Sequence, residues 1–277
     1  MRAFLFCVCL LSVLSGAGQT DLVPSLDTSH EGKFYVYWGY NRSAYNPSDI
    51  HFEGEGYDFT LEDVRAHDLP EQFDTKVYFN PTKLTIPQFN LRLGYYISDQ
   101  FSISLGYEHL KYKIDETQRV KIDGKISNQL SETYGGVYNQ EYLTITPDFL
   151  SFEHTNGLNY VRAMAEWHRQ IWRSPNSKHS AWFNAGVGTG PVICWTDFTL
   201  FGERHKNYLH FSGLGMSAQL SARFEFFRHF FVQYNSQLGK TWLWDIILEE
   251  EEAARASQNI TFTERSLVVG GLFHIGK

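Results

Sequence analysis

Apolar and polar residues alternate with a period of two through eight stretches of the chain. That is the spacing of strands whose two faces meet different surroundings. In 33–42, Phe34, Val36, Trp38 and Tyr40 oppose Tyr35, Tyr37, Gly39 and Asn41. In 86–97, Phe89, Leu91, Leu93, Tyr95 and Ile97 oppose Gln88, Asn90, Arg92 and Gly94. Phe101, Ile103, Leu105 and Tyr107 face away from Ser102, Ser104, Gly106 and Glu108 in 101–108. The same alternation marks 157–172, with Val161, Ala163, Ala165, Trp167 and Ile171 against Arg162, Glu166, His168 and Gln170. It recurs in 180–195, 207–226, 229–239 and 263–276. Each run has roughly the length of a tilted strand across a bilayer.

The connections set the topology. Ser98-Asp99-Gln100, Ser174–His179 and Phe227–His229 are tight, whereas 43–85, 115–156, 196–206 and 245–259 are longer. Long and short alternate, as in antiparallel transmembrane barrels with long extracellular loops and short periplasmic turns. With both termini on the periplasmic side the strand number is even, and eight is the count. Two loops keep a strand-like period of their own. SDIHFEGEGYDFTLEDV spaces Ile50, Phe52, Tyr57, Phe59 and Leu61 by twos, and VKIDGKI predicts a hairpin turning at Asp123-Gly124. These read as strands projecting above the membrane; if they crossed it, the barrel would have ten or twelve strands.

Composition sharpens the choice between this barrel and a soluble β-sandwich, whose alternation is similar. The chain holds 22 Phe, 16 Tyr and 7 Trp among 277 residues, a richness that suits a barrel with aromatic rims. MRAFLFCVCLLSVLSGAGQT has a basic start, a short apolar run and small residues at Ser15-Gly16-Ala17. It reads as a signal peptide of residues 1–17, leaving 18–277 as one barrel domain exported to the outer membrane. Cys7 and Cys9 leave with the leader, so Cys194 stands alone and forms no intrachain disulfide. A net charge of −7 argues against nucleic acid as a partner.

The stretches FYVYWGYNRSAY, DIHFEGEGYDFTLEDV, LTIPQFNLRLGYYISDQFSISLGYEH and FLSFEHTNGLNYV resemble small outer-membrane β-barrel proteins of Gram-negative bacteria, in particular uncharacterised barrels of the Bacteroidota. The resemblance covers nearly the whole mature chain. It implies a fold and a location and assigns no reaction to any residue.

Chemistry concentrates on the inward face. Arg92, Glu108, Arg162, Glu166, His168, Arg223 and Glu225 point into a lumen too narrow for an aqueous channel if eight strands enclose it. Mixed charges there predict a paired network that plugs the barrel, since unpaired charge is costly to bury. The one catalytic pattern to weigh lies in Phe152–Gly157. Small barrels of the lipid A deacylase type carry a His and a Ser two residues apart, with an acidic partner on the neighbouring strand. Here His154 and Glu166 are present, but Asn156 stands where the nucleophilic Ser would be, and Asn cannot accept an acyl group. Asn156-Gly157 reads more simply as a turn at a loop tip.

The eleven His show no ligand spacing, so neither metal nor cofactor is expected. Glu249–Glu252 reads as a solvated loop. The expected protein is a non-enzymatic monomeric surface barrel embedded in outer-membrane lipid and lipopolysaccharide. Loops 43–85 and 115–156, with Tyr45, Tyr57, Tyr78, Tyr134, Tyr138 and Tyr142, are its expected binding surfaces for a ligand or protein. A lipid A-modifying hydrolase using His154, and a small channel, are the alternatives.

Overall fold

The structure is a computed structural model that describes residues 29–78, 80, 82–83, 86–206, 209–249 and 254–275. The leader, and Glu250–Glu252 of the acidic run, lie outside the described residues. In chain order the first strands are β1 (Phe34–Tyr45), β2 (Ser48–Gly54), β3 (Tyr57–Val64) and β4 (Ala66–His67), followed by the one-turn helix α1 (Thr75–Tyr78). Then come β5 (Phe89–Ser98), β6 (Phe101–Leu110), β7 (Lys113–Ile114), β8 (Arg119–Ile126) and β9 (Gly136–Thr144). The second half holds β10 (Leu150–Arg173), β11 (His179–Leu200), β12 (Glu203–Lys206), β13 (His210–Phe226), β14 (Phe230–Ile247) and β15 (Arg255–Phe273).

Eight of these strands close a ring in the order β1-β5-β6-β10-β11-β13-β14-β15, every pairing antiparallel. Closure comes from β15 lying along β1 from Phe34↔Phe273 to Tyr45↔Phe262. A line perpendicular to the strands leaves Phe34 and passes Tyr95, Ile103, Ala165, Val187, Ala218, Leu238 and Thr263. It returns to β1 at Ala44, ten residues further along. Such a stagger tilts eight strands by about 40°, within the usual range for closed barrels.

The alternation read from the sequence is now assigned to faces. Leu93 is 51% exposed on the outer wall, as are Leu105 (60%) and Leu267 (60%), while Arg92, Arg162 and Glu264 inside are at most 1% exposed. Large apolar side chains left open all round a closed wall, over a polar interior, are the inverse of a soluble barrel and the pattern of a transmembrane one. Exposed Phe101, Trp172, Phe227 and Phe230 crowd the short-turn end of this belt, and Trp195, Phe211, Trp242 and Trp244 crowd the other. No helix among the described residues is long and apolar enough to cross a membrane.

The two long loops do not enter the ring. Above the point where β1 ends, β15 pairs with β2 (Gln258↔Ile50 to Arg255↔Glu53), and β3, β8 and β9 follow in order. They form a cap together with the upper ends of β10, β11 and β14.

Two local expectations are corrected. Asp123-Gly124 is not a hairpin turn, because β8 runs straight through it. Its positive φ (124°) belongs to a register slip between Ile122 and Gly124. A Cβ there would lie 2.3 Å from the Asp58 carbonyl oxygen, so β3 can approach only a glycine. Asn156-Gly157 is not a loop tip either. It lies inside β10, where the pairing with β11 slips between Glu153 and Gly157 to form a bulge.

Close packing in the lumen offers a test of the barrel. A Cβ at Gly94 would lie 2.1 Å from the buried ring of Tyr35, whereas one at Gly271 would meet nothing closer than 3.4 Å. Gly94→Ala is expected to destabilise the barrel by about 1–3 kcal/mol. Gly271→Ala should leave the urea midpoint in lipid vesicles unchanged.

Candidate functional site: the plugged lumen and its cap

The seven predicted lumen charges are all inside, none more than 3% exposed. Strand alternation puts them there, and the ring brings them together in two linked groups. In the upper group Glu108 lies between two arginines, 2.8 Å from Arg92 Nη2 and 2.5 Å from Arg162 Nη2. Gln237 donates to its second oxygen at 3.1 Å. Arg92 also donates to the Tyr37 hydroxyl (2.8 Å) and Ser104 (3.0 Å), and Arg162 to Ser217 (2.8 Å) and Gln219 (2.7 Å). Each guanidinium is thus satisfied on several N–H groups, the condition under which such a charge can be buried.

The lower group is built around aromatic rings. Tyr35 donates to Glu166 at 2.5 Å, and Ser104 links Glu166 at 3.4 Å to Arg92 above. Arg223 donates to Gln233 (2.6 Å) and to the Tyr96 hydroxyl, with its guanidinium 4.1 Å from the Phe231 ring centre. His168 sits between Ser102 (2.8 Å) and Asn184 (2.9 Å). Glu225 is 3.9 Å from Arg223 and accepts from Ser180 at 2.9 Å.

His30, which precedes the first strand, folds into the short-turn mouth. It reaches Glu225 at 3.1 Å between the rings of Tyr96 and Trp182. With Tyr35, Tyr37, Tyr96, Phe231, Val268 and Leu272 buried around it, this end of the lumen is closed.

Two members escaped the sequence reading. Glu264 accepts from Asn90 at 2.6 Å and is 1% exposed. It keeps the inward phase opposite Leu267 and Val269, so the alternation of β15 carried the signal. His30 lies outside any strand and has no periodic signal.

Above the belt the interior changes character. Leu158, Tyr160, Val192, Leu243, Ile260 and Phe262 close over the polar groups, and Ile50, Phe52, Phe59, Phe149, Phe152 and Phe198 continue the same apolar core into the cap. Phe52 is the hub, with ring centres of Phe59 at 5.2 Å, Phe152 at 5.4 Å and Phe198 at 5.8 Å. Cys194 is free and buried in this core. Of the loop tyrosines, Tyr57 and Tyr78 are buried, while Tyr45, Tyr134 and Tyr138 pack against the core; Tyr142 is 61% exposed.

His154 belongs to this cap core, on the part of β10 that rises above the belt. It is fully buried between the rings of Phe152 and Tyr112, with Nδ1 3.1 Å from the Thr196 hydroxyl. Burial pushes its pKa down to about 3. Glu166 lies twelve positions along the same strand, roughly 40 Å away, in the lower lumen group. Asn156 is in the bulge. The three catalytic candidates are therefore not brought into one site.

No known protein family matches the chain, and no curated protein does. Among solved structures, similarity is found to the outer membrane protein OprG from Pseudomonas aeruginosa, 11% identical, covering 88% of this chain and 97% of that one, with a TM-score of 0.39. Ail, the attachment invasion locus protein of Yersinia pestis, is 12% identical over 88% of this chain and 99% of its own, TM-score 0.31. Neisserial surface protein A is 9% identical over 87% and 99%, TM-score 0.34. Likenesses this distant carry no functional weight, and the fold is read from the closed ring itself.

Two outcomes follow. Glu108→Gln removes the carboxylate that two buried guanidiniums share and should destabilise the barrel by about 3–5 kcal/mol. Replacing Arg92 by Met in the same chain should recover part of that loss, measured by urea unfolding in vesicles. For His154, both folded and unfolded forms are neutral above the ordinary value of 6.5. As pH falls from 6.5 towards 3 only the unfolded form gains the proton, so cap stability declines by up to about 1.4 kcal/mol per pH unit. The protection of the Ile50, Phe52 and Phe59 amides, taken relative to their intrinsic exchange rate at each pH, should therefore fall between pH 7.5 and pH 5, and His154→Gln should weaken that dependence.

Proposed function

We propose that this protein is a non-enzymatic surface barrel of the outer membrane and that its cap is the binding part. The observation that carries the reading is the state of the cap's last strand. β9 pairs with β8 on one side, and no strand among the described residues takes its other edge. An open edge offers a row of unpaired N–H and C=O groups to an extended partner segment. Val137 (83% exposed) and Tyr142 (61% exposed) flank it, and Arg119 lies 4.4 Å from the Tyr142 ring centre, which stiffens that side chain. The partner class best suited to such an edge is an extended polypeptide. The apolar side of the other cap strands is buried framework, which holds the edge clear of the membrane.

The filled lumen supports this reading over a channel, and the separation of His154 from Glu166 supports it over a hydrolase. Placement in the outer membrane follows from combining a leader-like start with a barrel that has an apolar belt. The four stretches quoted earlier are what support an origin among the Bacteroidota.

Replacing Ser127–Leu143 by a short Gly/Ser turn should leave a heat-modifiable, folded barrel that no longer binds peptides selected against the intact protein. If the trimmed protein retained full binding, recognition would lie elsewhere. Planar bilayers containing the intact protein should show no stepwise conductance.

A further inference from the structure

The outer wall carries a second feature that neither the plug nor the cap uses. Arg42 and Arg265 are directly opposite each other in the β1–β15 pairing, and both point outward. Like charges placed opposite one another across a ladder are destabilising unless something lies between them. Many other arginines have carboxylates: Arg92 and Arg162 share Glu108, Arg65 is near Asp115, Arg204 pairs Asp197 and Arg255 pairs Asp245. Arg119 and Arg228 lie on a ring and a carbonyl and face no second arginine across a ladder. The opposed pair makes no ion pair among the described residues, although Asp68 lies within electrostatic reach of Arg42. Arg42 donates to the Asn41 carbonyl (2.7 Å) and the Tyr78 hydroxyl (3.1 Å), both neutral, and no hydrogen bond or ion pair holds Arg265 among the described residues. Asp68, the carboxylate near Arg42, is occupied by the Ser43 N–H at 3.1 Å and by Gln88.

Height makes the pair informative. One outward position nearer the short-turn end lie Tyr40 on β1 and Leu267 on β15, the last large lipid-facing groups of these strands. One position the other way lie Ala44 and Thr263. The guanidiniums therefore stand where acyl chains give way to headgroups.

Four residues above the partner of Arg265 on β14, Ser236, stands exposed Lys240, its Nζ 5.6 Å from the Trp242 ring centre. That places the lysine roughly 13 Å along the strand from the arginine pair. Between them the outward residues of β14 and β15 are Leu238, Thr263 and Thr261, none of them acidic. On the other flank, α1 folds back against the wall. Tyr78 meets Tyr40 edge to face with ring centres 4.7 Å apart and takes a hydrogen bond from Arg42, so this guanidinium is already oriented.

We propose that Arg42, Arg265 and Lys240 form a binding site for a membrane lipid whose headgroup carries two phosphates, one held by the arginine pair and the other by the lysine. Planar guanidiniums bind phosphate oxygens in a forked geometry, and a single phosphate between two of them cancels their repulsion. The long side chains keep their stems against the apolar wall while their heads reach the headgroup layer. The assignment rests on the membrane reading above, and not on the cap's partner.

The test is native mass spectrometry of the full-length barrel released from nanodiscs that contain phosphatidylethanolamine and trace lipid A in bisphosphorylated or monophosphorylated form. Retention of the bisphosphorylated lipid should exceed that of phosphatidylethanolamine at least tenfold. Arg42→Gln with Arg265→Gln should abolish the excess, Lys240→Gln should erase the preference for two phosphates over one, and Lys178→Gln in a short turn should change nothing. Millimolar inorganic phosphate should not compete. Equal retention of all three lipids by the intact protein, retention unchanged in the double variant, or displacement by inorganic phosphate would each overturn the site while leaving the barrel in its membrane. Failure to enter nanodiscs at all would overturn the membrane reading itself.

Discussion

The constraint on which everything else depends is the solvation of two wall faces whose surroundings change at one level. Below that level the outer face meets hydrocarbon and the inner face meets other side chains in a closed space. Above it the outer face meets water and the inner face must hold a cap together. The chain answers by exchanging the polarity of its faces. Along β15, Val269 and Leu267 point out while Ser266 and Glu264 point in. Then Arg265 and Thr263 point out, while Phe262 and Ile260 point in. The strand continues without a break through the exchange. Because the phase of a strand is fixed by its pleat, the exchange is made by residue choice alone.

This division also explains why the polar groups inside the belt are so densely connected. A lumen without bulk water offers nothing to a charge except other side chains, so every cation must have its anion within reach. Three guanidiniums and four carboxylates meet there, with Gln, Asn, Ser and Tyr filling the remaining donor and acceptor positions. In the cap the opposite applies. Its interior is that of an ordinary soluble β-protein, and a single polar side chain such as His154 is tolerated only in neutral form. Two packing regimes therefore share one set of strands.

Legibility from the sequence followed the same physics. Period-two alternation located all eight wall strands and the inward set Arg92, Glu108, Arg162, Glu166, His168, Arg223 and Glu225, because lipid on one side enforces strict phase. It failed where phase is locally relaxed. Asp123-Gly124 and Asn156-Gly157 have the composition of turns, but in both places the glycine sits at a register slip, Gly124 giving room to β3 and Gly157 to the Asn159 side chain of its own strand, and composition cannot separate those uses. Which charges pair was also invisible. Glu108 lies between Arg92 and Arg162 because the ring's stagger juxtaposes three strands, a long-range fact. The loop tyrosines read as exposed from loop membership alone, yet the cap has a core of its own and takes most of them into or against it.

One feature of the connectivity bears on how the molecule is made. The cap strands β2 and β3 arise near the start of the chain, but the strand that holds β2 to the wall is β15, about two hundred residues later. Until that final strand arrives, β2 has no wall strand to hydrogen-bond with, and the entropy of closing so long a loop remains unrecovered. The strand that completes the ring is thus also the one that pairs β2 with the wall. Barrel closure and cap formation become a single cooperative event, and a chain lacking its C-terminal strand loses both at once.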